Sequence, residues 1–186
     1  MAVIQESTPK QTENQQKLLI EIIKRYDSYI GSSNAKIAVI LSYSMAYIGG
    51  VAFKIIDLSA KRSHDCTWWL AIVISSASVL VTLYAMYLAY RALNPQTPPG
   101  RAPHEQPSVI FFGDVANLVG GRDGYFQRIK EISDTEIVED LARQAHVLAG
   151  IVSNKMAILN QSIDVLAKTQ LPLCLLTIIA LSLTTP

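Results

Sequence analysis

The sequence contains only two cysteines, Cys66 and Cys174, which lie in different segments and form no CxxC pair. Neither a disulfide framework nor a zinc site is therefore expected. Charged residues make up only 17% of the chain and the net charge is +1, so nothing in the composition indicates a general nucleic-acid binder. The sequence also lacks GxSxG and HExxH motifs and paired acidic residues within its apolar runs, which argues against an enzyme. No cofactor is expected.

Apolar residues, in contrast, make up half of the chain and are concentrated in long runs. Residues 68–90 form 23 consecutive positions without a charge. A helix of this length, rising about 1.5 Å per residue, crosses a hydrocarbon core of about 30 Å with some tilt. Residues 37–53 form a second uncharged run, which residues 54–58 extend if the Lys54 side chain reaches the interface. Both runs are predicted to span a membrane.

A third apolar run, residues 171–183, is short for a span, and Pro172 removes a backbone donor near its start. It becomes long enough if residues 163–167 precede it in the same helix; otherwise it forms a re-entrant or interfacial segment. We expect it to span. The sequence therefore predicts an all-α membrane protein with about three transmembrane helices, a small cytoplasmic helical region, and a long helix that continues into the last span.

The basic residues indicate an orientation. Six basic residues lie before the first span or soon after the second, and the topology places these two segments on the same side of the membrane. They are Lys17, Lys24, Arg25, Lys36, Arg91 and Arg101. The connection of residues 57–67 between the first two spans has only Lys61 and Arg62. Because basic residues favour the cytoplasmic side, the N-terminus and residues 91–170 are predicted to be cytoplasmic. No cleavable signal peptide is evident, so the first span is expected to act as the insertion signal.

Two polar segments flank the first two spans. Residues 12–30 have apolar side chains at helical spacing, and Thr12 with Gln15 suits a capping box. This amphipathic helix is expected to lie on lipid, on partner helices, or within the protein's own cytoplasmic layer. Residues 94–107 contain five prolines and are predicted to form an extended connector.

The insert then continues with short elements and one long helix. Asp114 is expected to cap a brief helix at residues 115–119, and a glycine-rich loop around Arg122 is expected to follow. Residues 133–168 are predicted to be one helix with a capping box of Ser133 and Glu136. Its apolar residues recur at gaps of three or four, which is typical of a coiled-coil or bundle seam.

These observations divide the chain into five predicted parts. They are an N-terminal amphipathic helix (1–36), a two-span hairpin (37–92), the connector (93–107), a sensor region with the long seam helix (108–168), and a C-terminal transmembrane segment (169–186).

Several segments resemble the transmembrane effector domain of the Pycsar antiphage systems. The segments are VIFFGDVANLVGG, then DLARQAHVLAGIVSNKMAIL, and SSNAKIAVILSYSMAY at the opening of the first span. The residues that match the family pattern are Phe111, Phe112, Gly113, Asp114, Asp140, Leu141, Gln144 and Lys155. The chain departs from the pattern before the first span, where the family often has an acidic residue and this chain has Asn34, Ala35 and Lys36.

The resemblance implies a function as well as a fold. It implies a multi-pass effector of the bacterial inner membrane that responds to a nucleotide second messenger made by a partner nucleotidyltransferase or cyclase. On that signal the effector would permeabilise the membrane and halt the infected cell. The alternative function is a non-conducting membrane anchor or sensor that recruits a partner protein.

An anionic nucleotide requires convergent cations or free backbone N–H groups. The candidates in the insert are Arg122, Arg128, Lys130, Arg143, His146 and Lys155. Of these, Arg122 best suits a phosphate-binding site, because it lies within a glycine-rich segment. Each candidate also has a structural interpretation, as a solvated helix charge, as the partner of a nearby carboxylate, or, for His146, as the polar edge of the seam.

Small residues in the first span are candidates for helix packing or for the lining of a pore. Ser42, Ala46 and Gly50 recur every four residues, with Tyr43 and Tyr47 beside them. Such spacing allows close helix approach, both in a pore and in ordinary packing of spans. Three spans and an unpartnered seam predict a homo-oligomer, with a tetramer as the expected state, and an opening between subunits.

Overall fold

The computed structural model describes residues 9–60, 65–94 and 107–184. Its helices are α1 (Pro9–Ser59), α2 (Cys66–Leu93), α3 (Phe112–Ala116), α4 (Gly121–Glu131), α5 (Asp134–Val165) and α6 (Leu171–Leu183), with a π-helical turn at Leu166–Gln170. No strand occurs in these residues, and the predicted all-α class is confirmed. Most of the predicted connector, together with Lys61, Arg62 and Arg101, lies outside the described residues.

Three helical segments are long and apolar enough to cross a membrane: Pro9–Ser59, Cys66–Leu93 and Asp134–Leu183. The first joins the predicted amphipathic helix and the first span in one helix of 51 residues. Because α1 already begins at Pro9, Thr12 lies inside the helix and the capping box predicted for Thr12 and Gln15 is wrong. Proline suits a first helical position, where its missing N–H would have no partner in any case.

The third segment is continuous from α5 through the π-helical turn into α6, as predicted. The π-helical turn ends two residues before Pro172, and the Leu171 N–H donates to the Leu166 carbonyl. Proline removes one helical hydrogen bond, and its ring crowds the carbonyl four residues earlier. A locally widened turn accommodates that ring without ending the helix. This turn supplies the length that the 13 residues of α6 lack.

The chain divides into two compact units. Among the described residues, we call 9–31 and 107–153 the polar unit, and 32–60, 65–94 and 154–184 the membrane unit. α1 and α5 each contribute residues to both.

Within the membrane unit, α2 packs against α6 and the π-helical turn. Two apolar clusters lie at different heights. The first apolar cluster consists of Ile37, Ile40, Ala89, Ala92 and Leu159. The second apolar cluster consists of Leu58, Ala71, Ala180 and Leu181. Along α1 the numbering rises from the first cluster to the second, whereas along α2 it falls, so these two helices are antiparallel.

Outside the two apolar clusters, many of the buried side chains of the membrane unit are small or polar, and many large apolar ones are exposed. Ser162 is fully buried and donates to the Ala85 carbonyl, at 2.8 Å, whereas Ile163 is 40% exposed. Ile163 belongs to the helix predicted at residues 133–168, whose apolar spacing predicts a buried seam. In a bilayer an apolar side chain gains little from burial, because lipid is as apolar as the protein interior. A hydroxyl, in contrast, needs a partner that lipid does not offer.

Candidate functional site

In the polar unit, the segment at residues 108–111 is attached to α5 through Asp140. The Ser108 hydroxyl and the Val109 N–H both donate to Oδ2 of Asp140, each at 2.9 Å. The Ser108 oxygen in turn accepts the N–H groups of Ile110 and Phe111, at 3.1 and 2.9 Å. Ser108, Val109 and Asp140 are all buried. The buried carboxylate therefore satisfies backbone groups that would otherwise lack partners in a loop.

Two further contacts close this segment. The Ser108 N–H donates to Oδ2 of Asp114 at 3.1 Å, and the Tyr125 hydroxyl donates to the Val109 carbonyl at 2.9 Å. Asp114 lies within α3, which spans Phe112–Ala116, so the predicted cap at Asp114 and the predicted helix at residues 115–119 are wrong. The Asp114 side chain accepts the Ser108 N–H instead of capping, and α3 begins with the Asp114 and Val115 N–H groups donating to the Phe111 carbonyl. We call Ser108, Val109, Asp114, Tyr125 and Asp140 the anchor network.

The predicted glycine-rich loop is a tight turn that leads directly into α4. Gly120 and Gly121 have φ angles of +88° and +55°, which other residues rarely adopt. The Gly124 N–H donates to the Gly120 carbonyl at 3.2 Å, and a Cβ on Gly124 would overlap the Val119 carbonyl oxygen. Arg122 and Asp123 therefore lie in the first turn of a helix, not in a loop as predicted.

The capping box predicted at the start of α5 is confirmed. The Ser133 N–H donates to Oε2 of Glu136 at 2.9 Å, and the Glu136 N–H donates to the Ser133 hydroxyl at 3.3 Å. Arg128 of α4 reaches the other carboxylate oxygen of Glu136 at 3.2 Å. The Ser133 backbone N–H, with its hydroxyl and Arg128, holds the pKa of Glu136 below its usual range.

This lowered pKa predicts an acid-sensitive contribution to stability. A carboxylate whose folded pKa is lowered stabilises the fold above its unfolded pKa, about 4.3 for Glu, and the contribution is lost as the pH falls through the folded value. We therefore expect the difference in melting temperature between the wild type and Glu136→Gln in detergent to be largest near neutral pH and to shrink in acid. Glu139→Gln, at an exposed position of the same helix, is the control. A difference that does not vary with pH would contradict the prediction.

A cavity of about 480 Å³ lies beside the anchor network. Its wall includes Asp114, Asn117 and Val119 before α4, and one face of α4 at Gly124, Gln127, Arg128 and Glu131. This volume is within the usual range of small-molecule sites, about 300 to 1,000 Å³. The amide groups of Asn117 and Gln127 both donate and accept hydrogen bonds, whereas Arg128 is the one cation of the wall.

Comparison with known proteins shows the family of this chain. The model of the Pycsar effector protein domain matches residues 18–184. The chain belongs to the Pycsar effector family. A curated relative, the Pycsar effector protein PtPycTM of Propioniciclava tarda, is 27% identical over 145 residues, which cover 76% of this chain and 68% of the relative. No solved structure matches. This Pycsar effector is therefore a membrane protein of antiphage defence.

The effector's family motif residues have distinct positions. Asp114 and Asp140 hold the anchor network together, and Leu141 is buried beside Asp140. Phe111 and Phe112 contact each other with ring centroids 4.8 Å apart, and Phe112 is exposed. A Cβ on Gly113 would lie against the Phe111 ring. Gln144 is partly buried on α5.

The five basic candidates of the polar unit lie on different faces of its helices. Arg128 alone lines the cavity, and it pairs with Glu136. Arg122 is exposed on a different face of α4, and the Lys130 ammonium lies 4.3 Å from the centroid of the Phe126 ring. Arg143 and His146 are exposed on α5.

Lys155, the sixth candidate, belongs to the membrane unit and is only 8% exposed. Within the described residues it has no hydrogen bond or ion pair. It lies on α5 one turn before Leu159 of the first apolar cluster.

The predicted pore residues occupy two faces of α1. Ser42, Tyr43, Ala46 and Gly50 are exposed, and a Cβ on Gly50 would meet nothing within 4 Å. Tyr47 instead faces the interior of the membrane unit, where its hydroxyl lies 2.6 Å from the Ser78 hydroxyl. The small residues therefore form a face that this chain's other spans leave open.

Sequence reasoning missed several residues of these networks. Ser108 and Tyr125 complete the anchor network, although neither belongs to the motif. Gln170 is fully buried in the membrane unit and bonds to Ser78. The sequence does contain a signal for Gln170, because its amide lies directly before an apolar run. A polar group at such a position needs a hydrogen-bond partner within the protein.

Proposed function

We propose that this effector is a homo-oligomer of the bacterial inner membrane which a nucleotide second messenger opens, so that the membrane of an infected cell depolarises. The N-terminus and residues 91–170 face the cytoplasm, where a partner nucleotidyltransferase or cyclase makes the messenger. The effector acts without catalysis. Its effect on the cell comes from the membrane unit.

One observation carries the proposal. The helical segment Asp134–Leu183 starts next to the anchor network, contains the motif residues Asp140 and Lys155, and ends as the third candidate span. Since consecutive helical turns share one hydrogen-bond ladder, a change that ligand binding imposes on the start of α5 can pass along the helix. The family motif and the membrane span thus belong to one element.

The cavity beside the anchor network supports a site for the messenger. We place the nucleotide there, with its phosphate on Arg128 and its base edge on the Asn117 and Gln127 amides. Binding would draw Arg128 away from Glu136 and so act on the capping box that begins α5. Arg122, Lys130, Arg143, His146 and Lys155 remain proposed contacts for further phosphates or for a second copy of the chain.

The open face at Ser42, Ala46 and Gly50 supports oligomerisation. Small residues four apart let two helices approach closely in a bilayer, where packing and not the hydrophobic effect drives association. A tetramer that uses this face is the proposed state. Ala46→Leu should shift the mass of the detergent-solubilised complex toward monomer.

Ion flux from liposomes tests the gating. Purified protein in phosphatidylethanolamine and phosphatidylglycerol vesicles should depolarise them only when one of a panel of cyclic mononucleotides and cyclic or linear dinucleotides is added. Arg128→Ala should require at least about tenfold more of the active nucleotide, the factor that corresponds to about 1.4 kcal/mol of lost binding. Lys10→Ala, at an exposed lysine of the polar unit, should respond as the wild type does.

The outcomes separate the two functions considered. If no nucleotide changes the flux while the protein is inserted and oligomeric, the gated-channel function fails and the non-conducting anchor that recruits a partner protein takes its place. Equal nucleotide responses of Arg128→Ala and Lys10→Ala would leave the channel intact but remove the proposed site.

A further inference from the structure

The middle of the membrane unit is a polar layer formed by side chains from all three helical segments. The Tyr47 and Ser78 hydroxyls lie 2.6 Å apart. The Gln170 amide donates to the Ser78 oxygen at 3.2 Å, and its carbonyl oxygen lies 3.4 Å from the same atom. Ser78 and Gln170 are fully buried. We call Tyr47, Ser78 and Gln170 the central layer.

Two further hydroxyls near this layer have no partner. Ser44 and Ser75 are both fully buried, and neither oxygen has a hydrogen bond among the described residues. Other buried hydroxyls of the unit behave differently: Thr82 donates to the Ser78 carbonyl at 2.9 Å and Thr177 to the Leu173 carbonyl at 2.8 Å. A buried hydroxyl without a partner costs about 1 to 3 kcal/mol. Ser44 and Ser75 are therefore unsatisfied polar positions inside the membrane unit.

The unpaired hydroxyls lie on opposite sides of the central layer. Ser44 precedes Tyr47 by three residues on α1, and Ser75 precedes Ser78 by three residues on α2. Because α1 and α2 are antiparallel, Ser44 is displaced toward the first apolar cluster and Ser75 toward the second. Polar groups thus extend along the axis of the unit in both directions from its middle.

Each end of this polar interior is closed by one of the apolar clusters. Ile37, Ile40 and Leu159 close the end near Ser44, and Leu58, Leu181 and Ala71 close the end near Ser75. A narrow apolar constriction stops the conduction of ions and protons because water does not remain in it. A small widening lets water enter, and conduction can then begin. The interior of the unit is thus polar in its middle and apolar at both ends.

We infer that the interior of the membrane unit is itself a path for water and protons, with the central layer as its hydrated middle and the two apolar clusters as gates in series. This rests on the proposed function and deepens it by naming what crosses and by placing the path inside each subunit, in place of the opening between subunits that the sequence predicts. The central layer has hydroxyl and amide groups, which both donate and accept hydrogen bonds. Waters bound to these groups would form a row. A proton would pass along this row from one water to the next, and each water would release one proton as it gains another. A hydrated potassium ion is larger than a single water and requires a wider opening than this proton path needs.

A double substitution tests the path without any nucleotide. Leu58→Ser with Leu159→Ser places a hydroxyl in each gate, and vesicles that hold this protein and a pH-sensitive dye should acidify at least about tenfold faster than the wild type, a factor that corresponds to about 1.4 kcal/mol of barrier. Because the gates are in series, each single substitution should remain near the wild-type rate. Adding Gln170→Leu to the double variant should lower the proton flux again.

A matched control uses the lipid-facing surface. Val39→Ser with Ile179→Ser makes a comparable change at residues 69% and 55% exposed, and it should not leak. If the variant with Leu58→Ser and Leu159→Ser does not insert, Ala71→Ser with Ala89→Ser replaces it. This second pair adds one hydroxyl to each cluster with less change in volume, and its vesicles should also leak protons.

Three results would overturn the inference: an inserted double variant as tight as the wild type, equal leakage of the surface control, or release of potassium along with protons. The last result would favour an opening between subunits. None of them depends on the nucleotide, so this inference and the proposed gating can fail separately.

Discussion

Gly124→Ala is expected to unfold the turn before α4 and to abolish nucleotide-dependent flux. A Cβ at this position would overlap the Val119 carbonyl oxygen, which is backbone and cannot rotate away as a flexible side chain does. Overpacking of this kind typically costs 1 to 3 kcal/mol, and we expect about 3 kcal/mol here because backbone must shift. The shift would also displace the cavity wall, of which Val119 and Gly124 are part. Thermal unfolding of the detergent-solubilised protein measures the loss.

Gly150→Ala is the matched control for this substitution. Gly150 lies inside α5, and a Cβ there would meet nothing within 4 Å. Alanine is favoured over glycine within a helix by about 0.5 to 1 kcal/mol, so this variant should be slightly more stable than the wild type. Equal melting temperatures for the two alanine variants would show that the turn at residues 119–124 is not constrained as described.

Asp140→Ala is expected to release the segment at residues 108–111 from α5. The substitution removes the acceptor of the Ser108 hydroxyl and the Val109 N–H, both of which are buried. Each unsatisfied buried donor costs about 1 to 3 kcal/mol, and we expect a total loss of about 3 kcal/mol. Hydrogen exchange should show faster exchange of the Val109 amide, and the melting temperature should fall.

Two variants distinguish the anchoring role of Asp140 from a general effect of charge. Asp140→Asn keeps an oxygen that can accept both hydrogen bonds, so it should retain most of the stability. Glu139→Ala removes a neighbouring carboxylate that is exposed, and it should change the melting temperature little. If Asp140→Asn is as unstable as Asp140→Ala, negative charge and not hydrogen-bond acceptance holds the segment.

The membrane spans could be predicted because hydrophobic length is a property of the chain alone. The predicted run at residues 68–90 became α2, Cys66–Leu93, and the predicted extension of the third run became the continuous segment Asp134–Leu183. The capping box of Ser133 and Glu136 is likewise a local pattern and was predicted correctly. The π-helical turn before Pro172 was not predicted. A proline predicts that the helix is disturbed near it, but not whether the helix ends, kinks or widens.

The candidate site was predicted less well because its contacts join residues far apart in the chain. The resemblance drew attention to Asp114 and Asp140, but their common partner, Ser108, appears only once the segment folds against α5. The basic residues were grouped by charge alone. The structure distributes them over different faces of α4 and α5 and over both units.

The sequence by itself determined the all-α class, the three spans and the membership of the Pycsar effector family, because each depends on local length, composition or motif. Only the tertiary structure decided which face of each span is buried. Hydrophobic periodicity identifies the inside of a water-soluble helix, yet in lipid the same rule loses its driving force. Hydrogen bonding contributes instead, because Ser78, Ser162 and Gln170 lie inside with hydrogen-bond partners while Ile163 is exposed.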